Sequence, residues 1–118
     1  MFKGLAGMAS MMGNLQQVPR KLEAINERLR SERVVGEADE GRVVVEMNGL
    51  GELQAITIAP ALVAGGDPVP AQQPICEAVN EANLRAKKLY GEAIHEMAKD
   101  LNMNIPGIES LLTRLTGG

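Results

Sequence analysis

At 118 residues the chain is long enough for one domain and short of two. With no Trp, one Tyr and one Phe its core has to be aliphatic, and the scarcity of rings argues against stacking recognition of single-stranded nucleic acid. One cysteine rules out an internal disulfide and a zinc site built from several cysteines, and a formal charge of −3 does not by itself mark a nucleic-acid binder.

Residues 1–13 are rich in Gly and Met and are expected to form a flexible lead-in to a domain over residues 14–107. Gly4, Gly7, Ser10 and Gly13 break up any apolar run there, and Lys3 is its one basic residue, which argues against a signal peptide. Eighteen consecutive apolar residues occur nowhere, so no membrane span is expected. From Met8 onward the apolar residues are Met8, Met11, Leu15, Val18, Leu22, Ile25 and Leu29, spaced alternately by three and four. That stripe predicts a long helix with a narrow seam for another helix. Pro19 interrupts it, and the pattern favours one kinked helix over a helix that begins near Pro19 after a separate turn.

Three strands are predicted next. Residues 34–38 make a short one, and Asp39-Glu40-Gly41 a turn. Residues 42–48 are β-branched and put Val43, Val45 and Met47 on one face. Asn48-Gly49 is a hairpin signal extended to Gly51, and residues 53–58 return as the third strand of an antiparallel meander. After a Gly- and Pro-rich loop, a second long helix is expected to reach about Leu101, with a stripe of Ile75, Val79, Ala82, Ala86, Leu89, Ala93 and Met97. Pro74 is tolerable only in a first turn, which predicts a start near residues 71–74. Residues 108–118 are expected to add a short amphipathic helix and a tail.

The predicted class is α+β, in the order α-β-β-β-α, with a three-stranded antiparallel sheet. A helix of 25–30 residues spans about 40 Å, more than the width of a domain this size, so both helices must protrude with apolar stripes uncovered. A two-fold homodimer is the usual remedy. Leu22, Ile25, Leu29, Val79, Ala82 and Ala86 are the expected dimer interface.

Charge is unevenly placed. Residues 1–33 hold six basic and three acidic side chains, residues 34–70 one basic and six acidic, and residues 71–118 five basic and six acidic. A polyanion would therefore meet the first helix and avoid the middle. Arg20, Lys21, Arg28 and Arg30, with Lys87 and Lys88 on the second helix, are the candidate phosphate contacts. The plain alternative is a solvated helix face laced with weak ion pairs.

Several strings in order resemble the YbaB/EbfC family over nearly the whole chain. They are Met1-Phe2-Lys3-Gly4, Val35-Gly36-Glu37-Ala38 with Gly41-Arg42-Val43-Val44-Val45, and Met47-Asn48-Gly49 with Ile56-Thr57-Ile58-Ala59-Pro60. Met11-Met12-Gly13-Asn14-Leu15, Val79-Asn80-Glu81-Ala82-Asn83 with Ala86-Lys87-Lys88, and Asn104-Ile105-Pro106-Gly107 complete the set. The resemblance implies a tweezer-like homodimer in the bacterial cytoplasm and nucleoid. It also implies binding to double-stranded DNA with little sequence preference, and no cofactor, membrane or small-molecule substrate. The competing expectation is a protein-interaction adaptor that uses its helical stripes without physiological DNA binding.

No catalytic set is visible. Glu92 and His95, three apart on a helix, are half of a di-iron carboxylate motif, but the further inward carboxylates such a site needs are missing. Cys76 and His95 lie nineteen residues apart along one helix, too far to act as nucleophile and base within one chain. A non-enzyme is expected, with no metal site.

Overall fold

A computed structural model describes residues 2–101, with side chains described at Gly13 and from Leu15 onward. The predicted helix and break after residue 101 lie outside the described residues. The element order is α1 (Phe2–Ser31), β1 (Arg33–Ala38), β2 (Val43–Asn48), β3 (Leu53–Ile58), a short 3-10 helix (Pro60–Gly66) and α2 (Val69–Asp100). The sheet has the order β1-β2-β3 and both pairings are antiparallel, as the alternation of apolar residues predicts. Val43, Val45 and Met47 point together into the core.

The backbone of α1 is helical from Phe2, so the expected lead-in is part of the same helix. It continues through Pro19. The carbonyl that loses its helical donor there belongs to Leu15, which is half exposed, so water can serve it. In α2 the start is earlier than Pro74 predicts. Val69 begins the helix, with its N–H bonded to Asp67 Oδ1 at 3.0 Å, and Pro74 sits inside. The donor missing at Pro74 would have gone to the carbonyl of Pro70, which is exposed near the helix start, so the cost is one bond and no break.

Two turns set the meander. Arg42 N–H bonds to the Asp39 carbonyl at 3.1 Å across Glu40 and Gly41, which both have positive φ as a type I′ turn requires. At the second turn the sequence signal Asn48-Gly49 works differently from expectation. Gly49 keeps an ordinary φ, and the left-handed residue is Gly51, three residues separating Asn48 from its partner Glu52. Gly49 is instead required for closeness. Its N–H bonds to the Leu29 carbonyl at 2.8 Å, and a Cβ there would lie 2.9 Å from that of Leu29. The end of α1 is thereby tied to the β2–β3 turn.

Asn48 is 2% exposed and holds this turn together. Its Oδ1 accepts from the N–H groups of Leu50 and Glu52, each at 3.0 Å, and its Nδ2 donates to Glu52 Oε1 at 2.8 Å. Asn48→Ala strands two part-buried donors and is expected to lower unfolding free energy by about 1–3 kcal/mol in urea titrations. A loss under 0.5 kcal/mol would show the turn to be held by backbone alone.

Two apolar clusters form. In the first, α2 lays Ala71, Ala78 and Ala82 on Val43, Val45 and Met47. The small side chains let the helix settle close to the sheet at Gly36 of β1. In the second, Ile25 and Leu29 of α1 meet Ala93, Met97 and Leu101 at the far end of α2, with Val18 and Leu22 packed alongside. The result is long and thin, 77 × 25 × 16 Å, with a radius of gyration of 20.0 Å. A compact chain of this length would have about 13 Å.

Candidate nucleic-acid interface

The six candidate cations fall on different faces. Lys21 and Arg28 are seven residues apart on α1 and share a flank beside its apolar seam. Both border one groove between α1 and α2, floored by Ile25 and Met97, whose other rim carries Glu96 and Asp100. Arg20 lies round the helix in a shallow hollow with Glu23 and Glu27. Arg30 is nine residues from Lys21, hence about 180° away on the helix surface. Lys87 stands at the β2–β3 turn beside Leu50, Asn83 and Tyr90, on the opposite flank of α2 from Glu96. Lys88 faces outward and is exposed, a turn from Glu92. The structure therefore brings together Lys21 and Arg28 and separates the other four from them.

Arg28 also has a neighbour just past the end of its helix, Glu32 at 3.8 Å. Both are well exposed, so the pair is weak and leaves the guanidinium available. Arg85, the nearest arginine to Lys87 and Lys88, is committed elsewhere. It donates to the Val35 carbonyl of β1 at 2.6 Å and pairs with Glu81 at 2.7 Å.

The six expected interface residues are placed in intrachain packing. Leu29 and Ala82 are 0% exposed, Ile25 and Ala86 are buried, and Leu22 and Val79 pack against the two clusters. The reason is geometric: α2 is long enough to cover both the sheet and the last turns of α1. What stays open is β3. Leu53, Ile56 and Ile58 pair with Met47, Val45 and Val43 and so belong to the sheet's apolar face, yet α2 lies mainly over β1 and β2, and of the three Ile58 packs against the core. Leu53 is 51% and Ile56 41% exposed, and Leu84 of α2 is also exposed. Sequence alternation reads β3 as half buried and misses this; its signal was the absence of any charge or proline from residues 53–58.

Glu92, His95 and Cys76 are exposed. Among the described residues no three His, Cys, Asp or Glu side chains gather as metal ligands, and no helix is long and apolar enough to cross a membrane.

The sequence profile of the YbaB/EbfC DNA-binding family matches residues 3–101 of this chain, from the start of α1 to the end of α2. The chain belongs to the YbaB/EbfC DNA-binding family. Among its relatives are nucleoid-associated proteins of Persephonella marina, 38% identical over 76% of this chain and 81% of the relative, and of Chloroflexus aggregans, 34% identical over 77% and 91%. An uncharacterized protein of Helicobacter pylori has a similar crystal structure, with a TM-score of 0.51 and 25% identity over 75% of this chain and 93% of that one. As a YbaB/EbfC protein the chain owes its family pattern to α1, the meander and α2 together, and the strings quoted from residues 35–60 are the β1–β2–β3 hairpins.

Proposed function

We propose that this YbaB/EbfC protein is a nucleoid-associated homodimer of the bacterial cytoplasm. It binds double-stranded DNA through phosphates with little sequence preference, and it needs neither cofactor nor catalytic group. The observation that carries the reading is the family match across residues 3–101. The pairing of Lys21 with Arg28 on one flank of a protruding helix supports it, since phosphate contact needs cations in reach of a backbone more than it needs base-reading geometry. A labelled duplex of random sequence, titrated by fluorescence anisotropy across a salt series, tests it. Saturable binding that weakens linearly on log–log axes is expected. Absence of binding at low salt by a folded protein would overturn it and favour the adaptor reading, which the net charge of −3 and the six acidic residues of 34–70 suit.

The dimer belongs to the same proposal, with its contact at β3. Edge strands of stable monomers are guarded by charges, prolines or a covering element. β1 has such guards in Arg33, Glu37 and the Arg85 guanidinium, whereas Leu53-Gln54-Ala55-Ile56-Thr57-Ile58 has none. An uncharged strand running antiparallel to its own copy places like with like without repulsion and covers Leu53 and Ile56. Ile56→Lys is expected to turn a dimer into a folded monomer by sedimentation equilibrium. A variant as dimeric as the parent would move the contact elsewhere.

A further inference from the structure

The groove between α1 and α2 sets the two best-placed cations of the DNA reading opposite two carboxylates. Lys21 and Arg28 stand on the α1 rim, Glu96 and Asp100 on the α2 rim. Arg28, Glu96 and Asp100 are exposed and Lys21 is half-buried, and the floor is apolar. Among the described residues no ion pair closes across the groove, so the cations remain free to turn outward. The apolar packing that holds α2 against α1, Ile25 and Leu29 on Ala93, Met97 and Leu101, fixes these acids beside those bases. They cannot drift away as they would on a loose tail.

We infer that Glu96 and Asp100 are affinity-setting residues: they act as a built-in counter-charge that competes with DNA phosphates for Lys21 and Arg28 and keeps duplex binding weak and readily reversible. This rests on the DNA-binding reading given above. A phosphate approaching Lys21 and Arg28 must come within the field of two carboxylates, which repel it and already neutralise part of the attraction. A cation partly offset by a carboxylate neutralises less of a phosphate and releases fewer of the duplex's condensed counterions, so the salt dependence is blunted as well. Glu96 and Asp100 touch no phosphate; their effect passes through Lys21 and Arg28.

The test measures duplex affinity and salt slope for the parent, for Glu96→Gln/Asp100→Asn, and for the same acid pair changed in a Lys21→Ala/Arg28→Ala background. A charge-matched control, Glu40→Gln/Glu77→Gln, removes two exposed carboxylates away from the groove. All these positions are at least partly exposed and the acid changes keep side-chain size, so folding is expected to survive; circular dichroism verifies it. Glu96→Gln/Asp100→Asn is expected to bind about five- to tenfold more tightly at low salt, with a steeper log–log slope, and the control less than about twofold. In the background lacking Lys21 and Arg28 the gain should largely vanish, because the carboxylates then have nothing to compete for. An unchanged affinity, a gain equal to that of the control, or a gain that persists without Lys21 and Arg28 overturns the inference while the parent still binds. If neither the parent nor the acid variant binds at low salt, the DNA-binding reading itself falls and takes the inference with it.

Discussion

Replacing Lys21 and Arg28 together with alanine is expected to weaken duplex binding about ten- to a hundredfold near 0.1 M salt and to flatten its salt dependence. Two cations per protomer make four in a homodimer. Each phosphate fully neutralised on B-form DNA contributes about −0.9 to the log–log slope, so the slope should become shallower by at most roughly three to four, and by less where Glu96 and Asp100 offset the two cations. The two residues were chosen by position. They share a flank of α1 and a groove with α2, so one backbone strand can touch both. Arg30, on the other side of α1, should matter little: Arg30→Ala is expected to change affinity about twofold or less. Alanine is the best helix former, and neither side chain fills the core, so helicity and dimerisation should persist. A folded, dimeric double variant with parental affinity and slope would remove Lys21 and Arg28 from the interface.

Gly36→Val is expected to be the most damaging single change to the fold. A Cβ at Gly36 would overlap the Ala78 carbonyl oxygen and the Ala82 amide nitrogen of α2, both of them backbone atoms that no rotamer can move aside. The helix would have to lift from β1, and with it the contacts of Ala78 and Ala82 with the sheet. Overpacking of this kind costs about 3–5 kcal/mol, against a total of about 5–15 kcal/mol for a domain. Thermal unfolding should fall by roughly 10–20 °C. Gly13 supplies the contrast within the same chain. It lies in α1 with nothing within 4 Å of a Cβ, so Gly13→Ala should stabilise by about 0.5–1 kcal/mol through helix propensity alone. If Gly36→Val melted within a degree or two of the parent, the close helix–sheet contact would be disproved.

The strands could be read from the chain because β-branched residues and turn residues carry their own local reasons. Val43, Val45 and Met47 alternate onto one face by the period of a strand, and Glu40-Gly41 can adopt the positive φ that a tight hairpin demands. The helical stripes were legible as faces that need covering, but a stripe does not name its cover. Leu22, Ile25 and Leu29 were expected to meet a second copy, and in the structure α2 of the same chain meets them. Two facts decide that, and both are non-local: the Gly49 N–H on the Leu29 carbonyl, which sets where α1 ends against the sheet, and the length of α2 beyond the sheet. The candidate site was legible residue by residue and not as a group. Seven-residue spacing puts Lys21 with Arg28 on any helix, whereas the presence of Glu96 and Asp100 across the groove depends on how α2 returns to α1. Arg85 stands two residues before Lys87 in the chain, and its engagement with Val35, fifty residues away, has no trace in local sequence.

A sheet with two open edges can recruit copies at both ends without limit, and the product is a fibre. Here one edge is occupied, with Arg85 bound to the Val35 carbonyl and Arg33 and Glu37 beside it, and the other is bare. Such a sheet can double once and then has no edge left to offer. In the β3-paired dimer proposed above, crowding that would drive an unguarded strand towards filaments meets an assembly whose growth stops at two. Losing the Arg85 guanidinium would reopen the second edge, and with it the route to a chain of sheets.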